Sequence, residues 1–193
     1  MGAVKSSSDA FQKVSDKVIK ACLDVHYCAN KACAAAVIFS DWADSTPLNQ
    51  YTAILQACEA YKPGSFYLRE LKPLMAVIER IKEHVHIYLI DAYCYLSSHN
   101  EPGLGAYLYE AIKGRSAVVG VAKNIFRHSN HAIEVFRGNS KRPLYVTSIG
   151  LSKEEAASRI SIMAGKFRMP TLIRMTDQLA HKVINEDESI CIG

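Results

Sequence analysis

The sequence predicts an α/β domain, a mixed β-sheet covered by helices. Three observations carry this. Residues 20–58 are apolar and β-rich, broken only by turn chemistry, which reads as an antiparallel meander. From Phe66 the apolar spacing changes to three and four, the period of a helix. Beyond that, short apolar runs alternate with helical segments, the pattern of βαβ crossovers.

The elements follow in order. Residues 20–27 form an apolar run that ends in the polar Asp24, His26 and Tyr27. Ala29-Asn30-Lys31 reads as a turn, and residues 32–39 form a second strand, completing a hairpin. Residues 51–58 give a third strand, and Lys62-Pro63-Gly64-Ser65 a loop. Leu68, Leu71, Met75, Ile78 and Ile81 then mark an amphipathic helix with Pro73 near its start. Residues 86–90 are a buried strand closed by Asp91. A loop over 97–103, a helix over 104–112 and a strand over 117–121 follow. Residues 131–136 and 144–147 pair around Gly138-Asn139 and Pro143. Ser152 is an N-cap with Glu154 and Glu155 in the first turn. Met169-Pro170 ends that helix, and Thr171 opens a last one to about Ile184. Residues 1–13 read as a flexible polar segment, 14–185 as the domain and 186–193 as a tail.

Composition narrows the function classes. The chain has 193 residues, 49% hydrophobic and 22% charged, enough for one globular core. No apolar run reaches the roughly 18–20 residues of a membrane span, so no membrane partner is expected. The net charge of +4 is compatible with nucleic acid without requiring it. The six cysteines contain no C-x-x-C pair, and most lie in apolar stretches. They read as reduced thiols of a cytoplasmic or, in a eukaryote, nuclear protein.

Three acids stand out by position. Asp24 interrupts the first strand, Glu70 lies in the first turn after the Pro-Gly loop, and Asp91 ends the central strand. Ligands of α/β sheets collect at strand ends. Carboxylate oxygens there suit a hard cation, which activates water and stabilises the leaving oxygen of a phosphodiester. Each acid taken alone also fits a turn or a helix cap.

Several segments, in order, resemble endonuclease V. Leu23-Asp24-Val25-His26-Tyr27 resembles that family's first metal-binding strand. Tyr61-Lys62-Pro63-Gly64, running into Arg69-Glu70, resembles its strand-separating wedge and catalytic Glu. Leu89-Ile90-Asp91 resembles the strand of its second ligand Asp, and Gly120-Val121-Ala122-Lys123 matches the segment whose Lys supports catalysis. Pro143-Leu144-Tyr145-Val146, Phe167-Arg168-Met169-Pro170 and Arg174-Met175-Thr176-Asp177 resemble its C-terminal signatures. The resemblance implies an RNase H-like mixed sheet in a single domain. It implies Mg2+ or Mn2+ held by Asp24, Asp91 and Glu70, and catalysis by these acids with Lys123. It further implies hydrolysis of a phosphodiester 3′ to inosine or deoxyinosine in DNA or RNA. Tyr61, Lys62, Pro63, Tyr93 and Arg69 would contact the nucleic acid, with Arg127, Lys141 and Arg142 as further phosphate contacts.

Two departures bear on specificity. Where the family reads Asp-Gly-x-Gly, this chain reads Asp91-Ala92-Tyr93-Cys94. Ala92 and Cys94 are then expected to place side chains in the base pocket, narrowing, reshaping or closing it. Alignment by the following helix puts Ile149 at the family's site His, with His99 or His128 as substitutes. A catalytically impaired nucleic-acid-binding or scaffold protein on the same fold is therefore the rival expectation. The sequence leaves oligomeric state open.

Overall fold

A computed structural model describes residues 17–56, 66–126 and 131–190. The polar segment 1–13, Cys58, Tyr61, Lys62, Pro63, Arg127, His128 and Cys191 lie outside them, and so do the expectations that rest on them. Among the described residues no helix is long and apolar enough to cross a membrane.

The chain alternates as expected. Strands β1 (Lys20–Cys28) and β2 (Lys31–Phe39) form a hairpin in which Cys28 pairs with Lys31. Ala29 in its two-residue turn takes a left-handed φ of 47°. Strand β3 (Asn49–Gln56) completes the antiparallel meander. Helix α1 (Phe66–Ile78), β4 (Ile87–Ile90), α2 (Leu104–Ala111) and β5 (Ala117–Ala122) follow. Then come β6 (Ile133–Val135), β7 (Leu144–Ile149), α3 (Lys153–Ile162) and α4 (Thr171–Ile190). The sheet order is β3-β2-β1-β4-β5-β7-β6, with β1, β4 and β5 parallel and the other pairings antiparallel. This is the expected RNase H-like mixed sheet.

Strand alternation divides the core into two layers. Ala21, Leu23, Ile38, Tyr88, Ile90 and Val118 face α1 and α2, where Leu74, Val77, Leu104 and Leu108 meet them. Cys22, Val37, Phe39, Leu89, Val119 and Val121 face the other way, toward Ala156, Ile160 and Leu172 of α3 and α4. Residues of the central strands are thus buried on both faces, which is why they read as unbroken apolar runs.

Some boundaries differ from expectation. Pro73 is the eighth residue of α1 rather than near its start. A proline has no N–H for the carbonyl four residues back. That carbonyl belongs to Arg69, and the Tyr27 hydroxyl donates to it at 2.8 Å. The expected apolar line through Leu68 is also displaced, since Leu68 is exposed. The most buried line of α1 runs through Glu70, Pro73, Leu74 and Val77, a helical stripe that contains an acid. Ser152 caps α3 as expected, accepting from the Glu155 N–H at 3.1 Å. However, α3 stops at Ile162, well before Met169-Pro170: Met163 turns extended at φ −56° and ψ 146°, and Arg137 donates to the carbonyls of Phe167 and Arg168 beyond it. The backbone of α4 runs on to Ile190, past the expected end near Ile184.

Candidate active site

The ladder between β1 and β4 ends at Leu23 opposite Ile90. The next residue on each strand is an acid, Asp24 on one and Asp91 on the other. Two parallel neighbours in register therefore place two carboxylates side by side at one end of the sheet. Strand β5 ends at Ala122 beside them, so Lys123 emerges at the same end, and its Nζ lies 2.5 Å from Asp91 Oδ2. Glu70 comes from the buried stripe of α1 and is only 8% exposed. Asp24, Glu70 and Asp91 line one cavity of about 100 Å³, whose other walls are Leu23, Val25, Leu74, Ile90 and Leu104.

Electrostatics follows from this enclosure. Burial first, and then the Asp91 charge, push the Asp24 carboxyl up to about 7. The N–H of Val25, which Asp24 Oδ1 accepts at 2.9 Å, acts in the opposite sense. Glu70 is likewise pushed up to about 7 by burial and by Asp24, with Arg69 opposing. Lys123 is raised despite its burial, because the carboxylates of Asp91, Asp24 and Asp177 surround it. Acids forced to share buried space at this cost mark a site where a positive charge belongs.

Every described residue expected at the acidic centre is there. Asp24, Glu70, Asp91 and Lys123 converge. Arg69 folds its guanidinium 3.7 Å above the Tyr27 ring, and its buried Nε has no hydrogen-bond partner. Tyr27 is itself raised by burial and by the Glu70 charge.

Sequence reasoning missed one acid as a site residue. Asp177, on α4, adds its charge to those acting on Asp24, His26 and Lys123. It also faces His181 at 3.6 Å, and the His181 ring stacks on His26 at 3.4 Å. The signal was present as the Arg174-x-x-Asp177 segment one turn into the last helix. The expected gap at Ile149 is corrected by the same geometry. Ile149 pairs with Val118 near the start of β5, at the opposite end of that strand from Lys123. His99 is exposed on its loop and lines neither of the two cavities beside the acids.

The Ala92-Tyr93-Cys94 segment has not closed the adjoining space. A cavity of about 670 Å³ lies against Asp91 and Lys123, with Ala92, Tyr93, Tyr67, Tyr107 and Phe126 in its walls. Cys94 does not enter it. This thiol is fully buried, packs with Leu104 and Leu108, and is pushed up to about 12 by burial. Room for the segment comes from glycines opposite: a Cβ on Gly105 would meet Cys94 Sγ at 2.6 Å, and one on Gly120 would meet the Ala92 carbonyl at 2.3 Å. Tyr93 is 6% exposed, and its hydroxyl donates to the Asn124 carbonyl at 3.0 Å while accepting the Phe126 N–H at 3.3 Å. It forms a cavity wall that fixes the loop after Lys123.

The donor set can be weighed against a metal. Among the described residues, no three His, Cys, Asp or Glu side chains stand together as a formed ligand set. The chemistry nevertheless fits a hard divalent cation: buried carboxylate oxygens with raised proton affinity, around a cavity, at a sheet end.

Comparisons with known proteins agree with this architecture. The family model for endonuclease V matches residues 3–142, well over half of the chain. The match ends before β7, α3 and α4, so the assignment of Asp177 to the site rests on its charge acting on Asp24 and Lys123. Comparison with curated protein sequences finds no match. Among solved structures, the chain resembles human endonuclease V with TM-score 0.70 and 21% identity, covering 96% of this chain and 93% of that one. It resembles the Streptomyces avermitilis endonuclease V with TM-score 0.71 and 22% identity, covering 88% and 82%. It also resembles the Ciona intestinalis enzyme in complex with a 24mer DNA containing an inosine followed by a ribo-adenosine, with TM-score 0.74 and 17% identity over 90% and 88%. At these identities the likeness concerns the fold.

Proposed function

The chain belongs to the endonuclease V family, whose members are nucleases that use a divalent metal, and from that premise we propose the finer reading. The protein is an endonuclease dependent on Mg2+ or Mn2+ that hydrolyses a phosphodiester bond 3′ to inosine or deoxyinosine in DNA or RNA. It works in the cytoplasm or, in a eukaryote, the nucleus. The observation that carries this is the buried pair Asp24 and Glu70, each pushed up to about 7, sharing a cavity with Asp91 beside Lys123.

Asp24, Asp91 and Glu70 would hold the ion, with Asp177 in reach of their field. A divalent ion bound there supplies Lewis-acid chemistry to a phosphodiester. The residues of the chain do the rest. Glu70, the most buried of the three acids, would orient an attacking water through its carboxylate. Lys123 offers its ammonium group to the phosphate oxygens as negative charge develops. Arg69, stacked on Tyr27, would bring its positive charge to the edge of the same site. The aromatic cavity beside Asp91 is of a size to enclose a displaced base, and Tyr93 forms part of its wall. Tyr61, Lys62 and Pro63 would wedge the strand open, as the family resemblance implies.

A second reading has its own observation. Lys123 pairs directly with Asp91, and no formed three-ligand set is present among the described residues. A nucleic-acid-binding scaffold in which Lys123 permanently replaces the metal would look the same. Mn2+ titration separates the two: the nuclease binds Mn2+ through Asp24 and Asp91, and the scaffold does not. If inosine-containing DNA and RNA both stay intact in either metal, while a known family member cuts them in parallel, the nuclease reading fails.

A further inference from the structure

The loop between α3 and α4 is built around a buried cation. Arg137 is 6% exposed, and its guanidinium donates to the carbonyls of Ser161 at 3.4 Å, Gly165 at 3.3 Å, Phe167 at 3.2 Å and Arg168 at 3.1 Å, and also to that of Met163. Gly138, at φ +57°, lets the turn after Arg137 lie flat on this loop, since a Cβ there would meet the Lys166 carbonyl at 2.3 Å. These five carbonyls offset the burial of the guanidinium and hold the loop in one shape.

What it presents is Phe167. The ring is 51% exposed, with the Arg174 guanidinium 5.1 Å and the Lys166 ammonium 5.5 Å from its centroid. The patch is continuous with the candidate active site at both ends. Arg168 donates to the Lys123 carbonyl at 3.3 Å, and Arg174 lies one helical turn before Asp177. Both cations lie over the exposed ring, on a path from the acids, so an arriving unpaired base would take their place on the ring as they turn to its flanking phosphates.

We propose that Phe167 is a stacking platform for an unpaired base of single-stranded nucleic acid entering or leaving the active site, with Lys166 and Arg174 as its phosphate contacts. The choice of nucleic acid as occupant rests on the nuclease-family reading above. Stacking is indifferent to base identity, so the platform grips the strand flanking the target without reading its sequence.

The test is binding without cleavage: fluorescence anisotropy of a labelled oligothymidylate of about 12 nucleotides, free of inosine, in EDTA. Phe167→Ala should weaken binding about 5- to 150-fold, and Phe167→Trp should restore it. Lys166→Gln and Arg174→Gln should each reduce the dependence of log K on log salt by about 0.7. On an abasic strand of the same length, Phe167→Ala should change nothing further. Phe167 is half exposed, so the unfolding temperatures of its variants should match the parent. The proposal is overturned if the parent protein fails to bind the strand, if Phe167→Ala binds as the parent does, or if the Trp variant binds no better than the Ala variant. Because no metal or turnover is involved, an inactive nuclease would leave this result standing, and a failed platform would leave the cleavage assay unaffected.

Discussion

Replacing Glu70 by Gln should stabilise the metal-free protein at alkaline pH while abolishing activity. The folded protein holds Glu70 at about 7 against an ordinary value of 4.5. That interval corresponds to about 3 kcal/mol against the ionised form. Water entry and relaxation on ionisation return part of it, leaving about 1–3 kcal/mol. The folded state binds the Glu70 proton more tightly than the unfolded state does. Wild-type stability contributed by this group is therefore full below pH about 4.5 and falls as pH rises through about 7. The amide introduced by Glu70→Gln carries no charge at any pH and escapes that loss. The substitution also removes one charge acting on Asp24. In EDTA, thermal unfolding followed by circular dichroism should show the two proteins nearly equal near pH 4.5. The variant should unfold about 2–12 °C higher at pH 8, since 1 kcal/mol moves a domain of this size by about 2–4 °C. Adding Mn2+ at pH 8 should raise the wild type toward the variant, because an ion that binds only the folded state stabilises it. Parallel pH profiles, or a variant less stable than wild type at pH 8, would refute the reasoning that burial and like charge are what raise Glu70.

Three further outcomes are expected. Lys123→Met should lower cleavage by about 10²–10³-fold, while its unfolding free energy changes by no more than about 1 kcal/mol, as suits a half-exposed ion pair; single-turnover kinetics and urea denaturation measure the two effects. Asp177→Asn should weaken Mn2+ binding, measured by calorimetry, and should lower the Asp24 pKa in the metal-free protein, read by carboxyl-carbon NMR titration, because one of the charges raising it is gone. Arg137→Met should destabilise the domain by at least about 3 kcal/mol in urea, since several loop carbonyls lose their donor together.

Much of this molecule was legible in its residues, and the exceptions have physical reasons. The meander, the crossovers and the parallel centre follow from apolar runs punctuated by turn chemistry. Asp24 and Asp91 could be picked out because each ends such a run, and the parallel register then sets them side by side. Glu70 lies on α1 as expected, but in its second turn rather than its first, and the expected helix face was wrong. Counting apolar residues alone favoured a line through Leu68, whereas the buried line runs through Glu70 itself, with Leu74 and Val77 at helical spacing from it. An acid in phase with a buried stripe was the missed signal. Asp177 was quoted within the Arg174-x-x-Asp177 segment, but only the fold brings its charge, from a helix more than 80 residues beyond Asp91, to bear on Asp24 and Lys123. Ile149 was misassigned because aligning by the helix after it ignores the antiparallel return of β7, which carries that residue away from the acids. The consequences of Ala92-Tyr93-Cys94 depended on Gly105 and Gly120, packing partners outside the segment. The early end of α3 is followed by a loop whose carbonyls bond to Arg137, a residue that precedes β7.

The most direct test of the central claim is cleavage of end-labelled inosine-containing oligonucleotides, DNA and RNA, in Mg2+ or Mn2+, with Asp91→Ala alongside. The wild type should cut 3′ to the inosine, and the variant should not cut. An intact substrate with the wild type in both metals, or equal cutting by both proteins, would contradict it.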